Sequence, residues 1–247
     1  MVAGLEPAAL AFAAGAVLVG GVVRGYTGFG SSMVWVTSLT LVMPPAAVVP
    51  VILAMEVLAS LHLLPQAWRA VDWRSVGPLV AAACLSTPLG VWLLAVTPAR
   101  PMQVAISVVV VVTAIVLWRG YALRRAPGMA ATIGAGVVSG VLTGSTSAGG
   151  PPVVIFYFAT PAGVDVARAS LIAFFMLTDG VGVAIAAASG LFTWQSALRV
   201  ALFLPPMLVG TALGSRRFVR ADPEAFRRAV LLLLVLLGAA GLVRALV

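Results

Sequence analysis

Two breaks rich in glycine, serine and threonine interrupt apolar sequence in this 247-residue chain, about 116 positions apart. The first reads Gly25-Tyr26-Thr27-Gly28-Phe29-Gly30-Ser31-Ser32. The second runs from Gly140 through Thr143-Gly144-Ser145-Thr146-Ser147 to Gly149-Gly150-Pro151-Pro152. Glycine lets a backbone approach a ligand closely and adopt left-handed angles. The hydroxyls of Thr27, Ser31, Ser32, Thr143, Ser145, Thr146 and Ser147 are small neutral donors. Helices expected to start near Ser31 and Pro151 would aim free amides and a positive dipole end at the breaks, which favours an anion. Pro151 suits a helix start because it has no amide to satisfy. The pair therefore predicts a site for one small oxyanion, shaped by Gly28, Gly30, Gly144, Gly149 and Gly150. The competing reading is close helix packing at small residues such as Gly20, Gly21, Gly25, Gly28 and Gly30.

Ionisable residues add to this chemistry. Arg24 directly precedes the first break and would offer an oxyanion a planar fork if it lies deep, or snorkel to the surface if the break is shallow. Glu56 and Asp179 each stand in a long apolar segment after a break. Intramembrane carboxylates are costly and point to function, so both are candidates for proton coupling; the alternative is capping of free amides or pairing with Arg24. His62 lies six residues beyond Glu56 and is a second candidate for proton relay. No Gly-Lys-Ser/Thr follows either break, which excludes the usual nucleotide loop. With one histidine and one cysteine, Cys84, the chain offers no transition-metal site and no internal disulfide. No cofactor, metal or catalytic set is expected.

These residues must be positioned by membrane helices. The chain is 62% hydrophobic and 9% charged, with mean hydropathy +1.14, whereas a soluble domain is about a quarter charged. An integral membrane protein with the bilayer as its partner follows. A barrel would need many short alternating strands, and these are missing from the pattern. The net charge is +8 and every basic residue is arginine, but the arginines fall mainly between apolar runs, where they report orientation rather than nucleic-acid binding. Met1–Val23 resembles a signal peptide, yet it carries Glu6 in place of a basic start and runs into a polar break, so it reads as the first membrane element.

Apolar stretches cover roughly 8–24, 31–43, 46–65, 76–97 and 102–118, then 128–142, 151–160, 167–188, 196–216 and 226–243. A full crossing needs about 20 residues, so 31–43 and 151–160 read as arms of re-entrant hairpins or as short tilted crossings. Arg69 and Arg74, then Arg119, Arg124 and Arg125, then Arg216, Arg217, Arg220, Arg227 and Arg228 mark three loops as cytoplasmic. Both termini then lie outside. Each half reads as a hairpin followed by three crossings, the second half upside down. The expected fold is an all-α polytopic membrane protein of two inverted repeats, 1–122 and 123–247, forming one transport domain. Thr27-Gly28 aligns with Thr143-Gly144, Glu56 with Asp179, and Asp72-Trp73 with Thr193-Trp194. Inverted repeats belong to secondary transporters with one midplane site. Prolines 88, 205 and 206 are expected to kink later crossings.

Over almost its whole length the chain resembles the TauE/SafE family, often called sulfite exporters. The resemblance rests on Gly25-Tyr26-Thr27-Gly28-Phe29-Gly30, on Thr143-Gly144 with Gly149-Gly150-Pro151-Pro152, on Asp179 within Leu171–Gly182 and on the two similar halves. It implies a carrier of sulfite, sulfoacetate or other organosulfonates in the cell inner or plasma membrane, working in the export direction. It maps Thr27–Ser32 and Thr143–Gly150 onto the central substrate region and does not carry over Arg24. An anion channel and a membrane scaffold without flux are the alternatives. A homodimer is compatible with the sequence.

Overall fold

The computed structural model describes residues 5–119, 128–158, 163–217 and 223–246. Every element in them is helical. The order is α1 (Pro7–Thr27), α2 (Ser31–Leu39), α3 (Pro45–Ala67) with a 3-10 turn at Trp68–Ala70, α4 (Trp73–Val96), α5 (Ala99–Trp118), α6 (Met129–Thr146), α7 (Gly150–Phe158), α8 (Val164–Ala188), α9 (Trp194–Arg217) and α10 (Pro223–Leu246). Seven of these helices are long and apolar enough to cross a membrane, and α10 adds the apolar stretch Val230–Ala245. The chain is thus a multi-pass membrane protein. The expected arms α2 and α7 have nine residues each, about 14 Å of helix, too short to span.

Local signals explain the boundaries. Proline opens α1 and α3. Asp72 accepts a hydrogen bond from Arg74 N at the start of α4, and Thr193 Oγ1 accepts from Ser196 N at the start of α9. The helices continue through Pro88 and through Pro205-Pro206.

Glycine sets the closest contacts. Helix α1 packs on α9, and α6 packs on α4. A side chain added at Gly25 would strike the Thr211 carbonyl, and one at Gly214 the Val22 carbonyl. In the other pair, Gly144 meets the Thr87 carbonyl and Gly90 the Val141 carbonyl. Small residues permit such backbone contact between membrane helices. Helix α5 packs on α10, and α3, the most enclosed span, packs on α8. One core, including Trp35, Ile52, Leu53, Ile106 and Phe203, joins α2, α3, α5 and α9; the other joins α3, α4, α7 and α8 through Leu79, Val153, Ile172 and Phe174.

Trp35 is buried and donates from Nε1 to Val17 O at 3.0 Å. Trp92, by contrast, is 56% exposed. Arg69, Arg74, Arg119 and Arg216 are exposed, as is His62. The expectations for Arg124, Arg125 and Arg220, for the junction at 122 and 123, and for residues 1–4 and 247 fall outside the described residues. Nothing is described of the Arg217, Arg227 and Arg228 side chains.

Candidate functional site

Helix α1 ends because Gly28 takes the left-handed φ of 80° and returns its N–H to Arg24 O at 2.8 Å. The Thr27 hydroxyl donates to Val23 O at 2.8 Å and accepts from Phe29 N at 3.1 Å. Gly30, also left-handed at φ 84°, leads into α2 at Ser31, and no side chain caps that helix start. Buried Ser32 follows in the first turn.

The second break repeats the helix end but not the left-handed angle of Gly30. Ser147, at φ 56°, returns its N–H to Thr143 O at 3.0 Å. The Thr146 hydroxyl donates to Leu142 O at 2.8 Å and accepts from Ala148 N at 3.2 Å. The structural counterpart of Thr27 is therefore Thr146, not Thr143 as sequence matching suggested. Gly28 then corresponds to Ser147, and Arg24 to Thr143. Gly25 and Gly144 become counterparts as well, consistent with their equivalent contacts on Thr211 and Thr87. Sequence comparison slipped by three residues because Thr-Gly occurs in both places at different points of the helix end.

The first break is charged. Arg24 is 1% exposed, with Nη1 3.0 Å from Glu56 Oε2 and Nη2 2.5 Å from Ser60 Oγ, to which it donates. Its guanidinium lies 5.2 Å from the centre of the Phe175 ring, a cation–π contact. The Ser31 hydroxyl donates to Glu56 Oε1. Asp179 is buried on α8, close enough to interact electrostatically with both Glu56 and Arg24, and its Oδ2 has no hydrogen-bond partner. Arg24 is therefore enclosed among the helices rather than exposed at a surface.

The second break is neutral. Ser145 donates to Val141 O at 2.7 Å, and Ser139 donates to Gly149 O at 2.5 Å. The Thr143 and Ser147 hydroxyls are buried without hydrogen-bond partners, and Thr143 Oγ1 fills the space beside Gly149. Gly150 opens α7 with the Phe175 ring and Met33 as its nearest side-chain neighbours. Phe175 therefore neighbours both breaks, at Arg24 and at Gly150.

The TauE/SafE sulfite exporter family matches residues 12–241. The chain belongs to the TauE/SafE family. It is also 28% identical over 222 residues to a probable sulfite/organosulfonate exporter TauE of Cupriavidus necator, covering 86% of each chain. No solved structure matches it. The family is one of exporters, not enzymes.

Within this TauE/SafE chain, sequence reasoning missed two residues placed at the breaks. Arg168, in the second turn of α8, donates from Nη2 to Gly25 O at 2.8 Å and lays its stem where Gly28 lacks a side chain. It bonds a carbonyl in the last turn of α1, where cations are favoured. Phe175 looked like one apolar residue among many. Only the presence of an arginine at the start of the apolar run 167–188 could have signalled Arg168. His62, exposed on α3, does not join the buried cluster. A surface cavity of about 320 Å³ beside Leu61, Leu64, Pro65, Trp68 and Arg69 lies at the end of α3, apart from both breaks.

Proposed function

We propose that this protein is a secondary carrier for a small sulfur oxyanion, sulfite or an organosulfonate, with one site exposed alternately to the two sides of the cell membrane. The observation that carries the reading is Arg24, a fully buried guanidinium at a helix break, beside the uncapped start of α2 and in contact through Phe175 with the second break. A buried cation among helix termini suits a compact anion. The proposed ligand surface comprises Arg24, Thr27, Gly28, Gly30, Ser31 and Ser32 from the first break. From the second it comprises Thr143, Gly144, Ser145, Thr146, Ser147, Gly149 and Gly150.

The alternating mechanism rests on two inverted repeats, 1–122 and 123–247. Supporting it are the matched helix ends at Thr27 and Thr146. So do the exchangeable contacts of α1 with α9 and α6 with α4, and the central pairing of α3 with α8. Glu56 on α3 and Asp179 on α8, close enough to interact electrostatically, are assigned to proton coupling. Export is the direction named for the Cupriavidus relative. Both termini are assigned to the outside.

The test is flux in proteoliposomes with sulfite, sulfate, sulfoacetate, taurine and simple carboxylates. Sulfite or a sulfonate should move, and unlabelled substrate on the far side should accelerate labelled flux. Very high flux without that acceleration would mean a channel. No flux of any member would leave a scaffold.

A further inference from the structure

A guanidinium buried among apolar helices needs a counter-ion throughout a transport cycle. Here Glu56 supplies it, with Oε2 3.0 Å from Arg24 Nη1. The pair lacks hydrogen-bond alignment: Glu56 Oε2 and Arg24 Nε are both buried without hydrogen-bond partners. The other carboxylate oxygen accepts from Ser31, the first residue of α2. Glu56 therefore occupies the point where a guanidinium and a helix start converge on one compact anion. A sulfonate or sulfite presents the same oxygens to the same donors, and its geometry can also engage the unclaimed Nε–H.

We propose that Glu56 is a built-in stand-in for the substrate: the incoming sulfur oxyanion displaces it from Arg24, and the proton that neutralises Glu56 crosses with the anion. The inference rests on the carrier reading above and adds the sign of its coupling. Arg24 cannot balance both a carboxylate and an oxyanion in a buried site. As the Nη1–Oε2 contact breaks, Oε2 takes one proton from water on the open side and the oxyanion takes Nη1 and Nε. On the other side the anion leaves, the proton returns to water and the ion pair re-forms. One anion and one proton move in the same direction, with no other reactant.

The ionisable groups facing Glu56 are Arg24 from α1 and Asp179 from α8. Helices α2 and α6 carry none. The other elements packed on α3 hold their charges near helix ends: Arg69 in the 3-10 turn, Asp72 and Arg74 at α4, Arg100 at α5, Asp165 and Arg168 at α8, and Arg199 and Arg216 at α9. His62 on α3 itself is exposed, and Cys84 is partly buried on α4.

The experiment uses the full chain in proteoliposomes, with the membrane potential clamped and ethanesulfonate as probe. This strong-acid anion carries no proton of its own near neutral pH. The expected result is lumenal acidification in step with sulfonate entry, one proton per anion. Ethanesulfonate affinity of the wild type should rise by up to about tenfold per pH unit of acidification, because binding takes up a proton. Glu56→Gln should bind with no such pH dependence and move sulfonate without protons, while Glu56→Asp should restore coupling. Should Glu56→Gln not fold, the wild-type pH profile and proton count decide. Proton-free sulfonate flux, counter-moving protons or pH-independent binding would overturn the inference and leave the carrier standing. Absence of both sulfite and sulfonate flux would instead overturn the carrier reading and this inference with it.

Discussion

At Thr27 and at Thr146 the chain leaves a helix by the same route, with one hydroxyl turned back on its own helix and a left-handed residue next in line. The two places then part in chemistry. The first has Gly28 where the second has Ser147, and Arg24 where the second has Thr143. It surrounds its cation with Glu56, Ser60 and Phe175. The second leaves the Thr143 and Ser147 hydroxyls buried and unpartnered. The helix-end geometry is therefore shared, although Gly30 has no left-handed counterpart at Gly149, while charge is placed on one side only. In the transport reading, an anion meets an ionic pole at one break and a pole of neutral donors at the other.

The largest break in this comparison should come from its charged member. Arg24→Ala strands Glu56 in the interior and should lose about 3–5 kcal/mol of stability, together with all sulfur-oxyanion flux. The counterpart change Thr143→Val removes a hydroxyl that has no partner and should alter stability by no more than about 1 kcal/mol. Unfolding in detergent measures both; equal losses would deny the difference in charge.

Next in size are the helix contacts. Gly25→Ala and Gly144→Ala each push a methyl group into a facing backbone carbonyl, and each should cost about 1–3 kcal/mol. Matched losses support the pairing of α1–α9 with α4–α6, whereas a large loss at only one position argues against it.

Smaller still is the effect at the left-handed caps. Gly28→Ala should cost about 1–2 kcal/mol from its backbone angle, with an added collision against the Arg168 stem. Ser147→Gly should hold or slightly raise the melting temperature, since serine already bears that cost. Finally, Thr27→Val and Thr146→Val should produce similar losses of about 1 kcal/mol, because each removes a hydroxyl that bonds the carbonyl four residues back and the amide two residues on. Dissimilar melting shifts would mark the two helix ends as unlike.

Much of this was readable before the fold. The starts of α2 at Ser31 and α7 at Gly150 lie within one residue of expectation, because glycine and proline act locally. The failure to match Thr27 with Thr146 is equally physical: a Thr-Gly pair does not state whether it stands one turn inside a helix or at its end. The packing reading of glycine was also partly visible. Gly21 and Gly25 do lie against α9, whereas Gly20 accommodates the Trp35 indole and Gly28 and Gly30 supply backbone angles.

The sequence by itself determined a helical membrane chain, two broken segments and the buried carboxylates that accompany them. Those features follow from composition, from segment length against bilayer thickness and from residues that act on their own backbone. Tertiary structure decided that Arg24 turns to Glu56 and Ser60, that Arg168 crosses from α8 to Gly25, and that Phe175 neighbours both breaks. These contacts depend on how each helix is rotated about its axis. Helices that are apolar on nearly every face carry little pattern to set that rotation, so it is set by where glycine allows backbones to meet and by which buried charges must find each other.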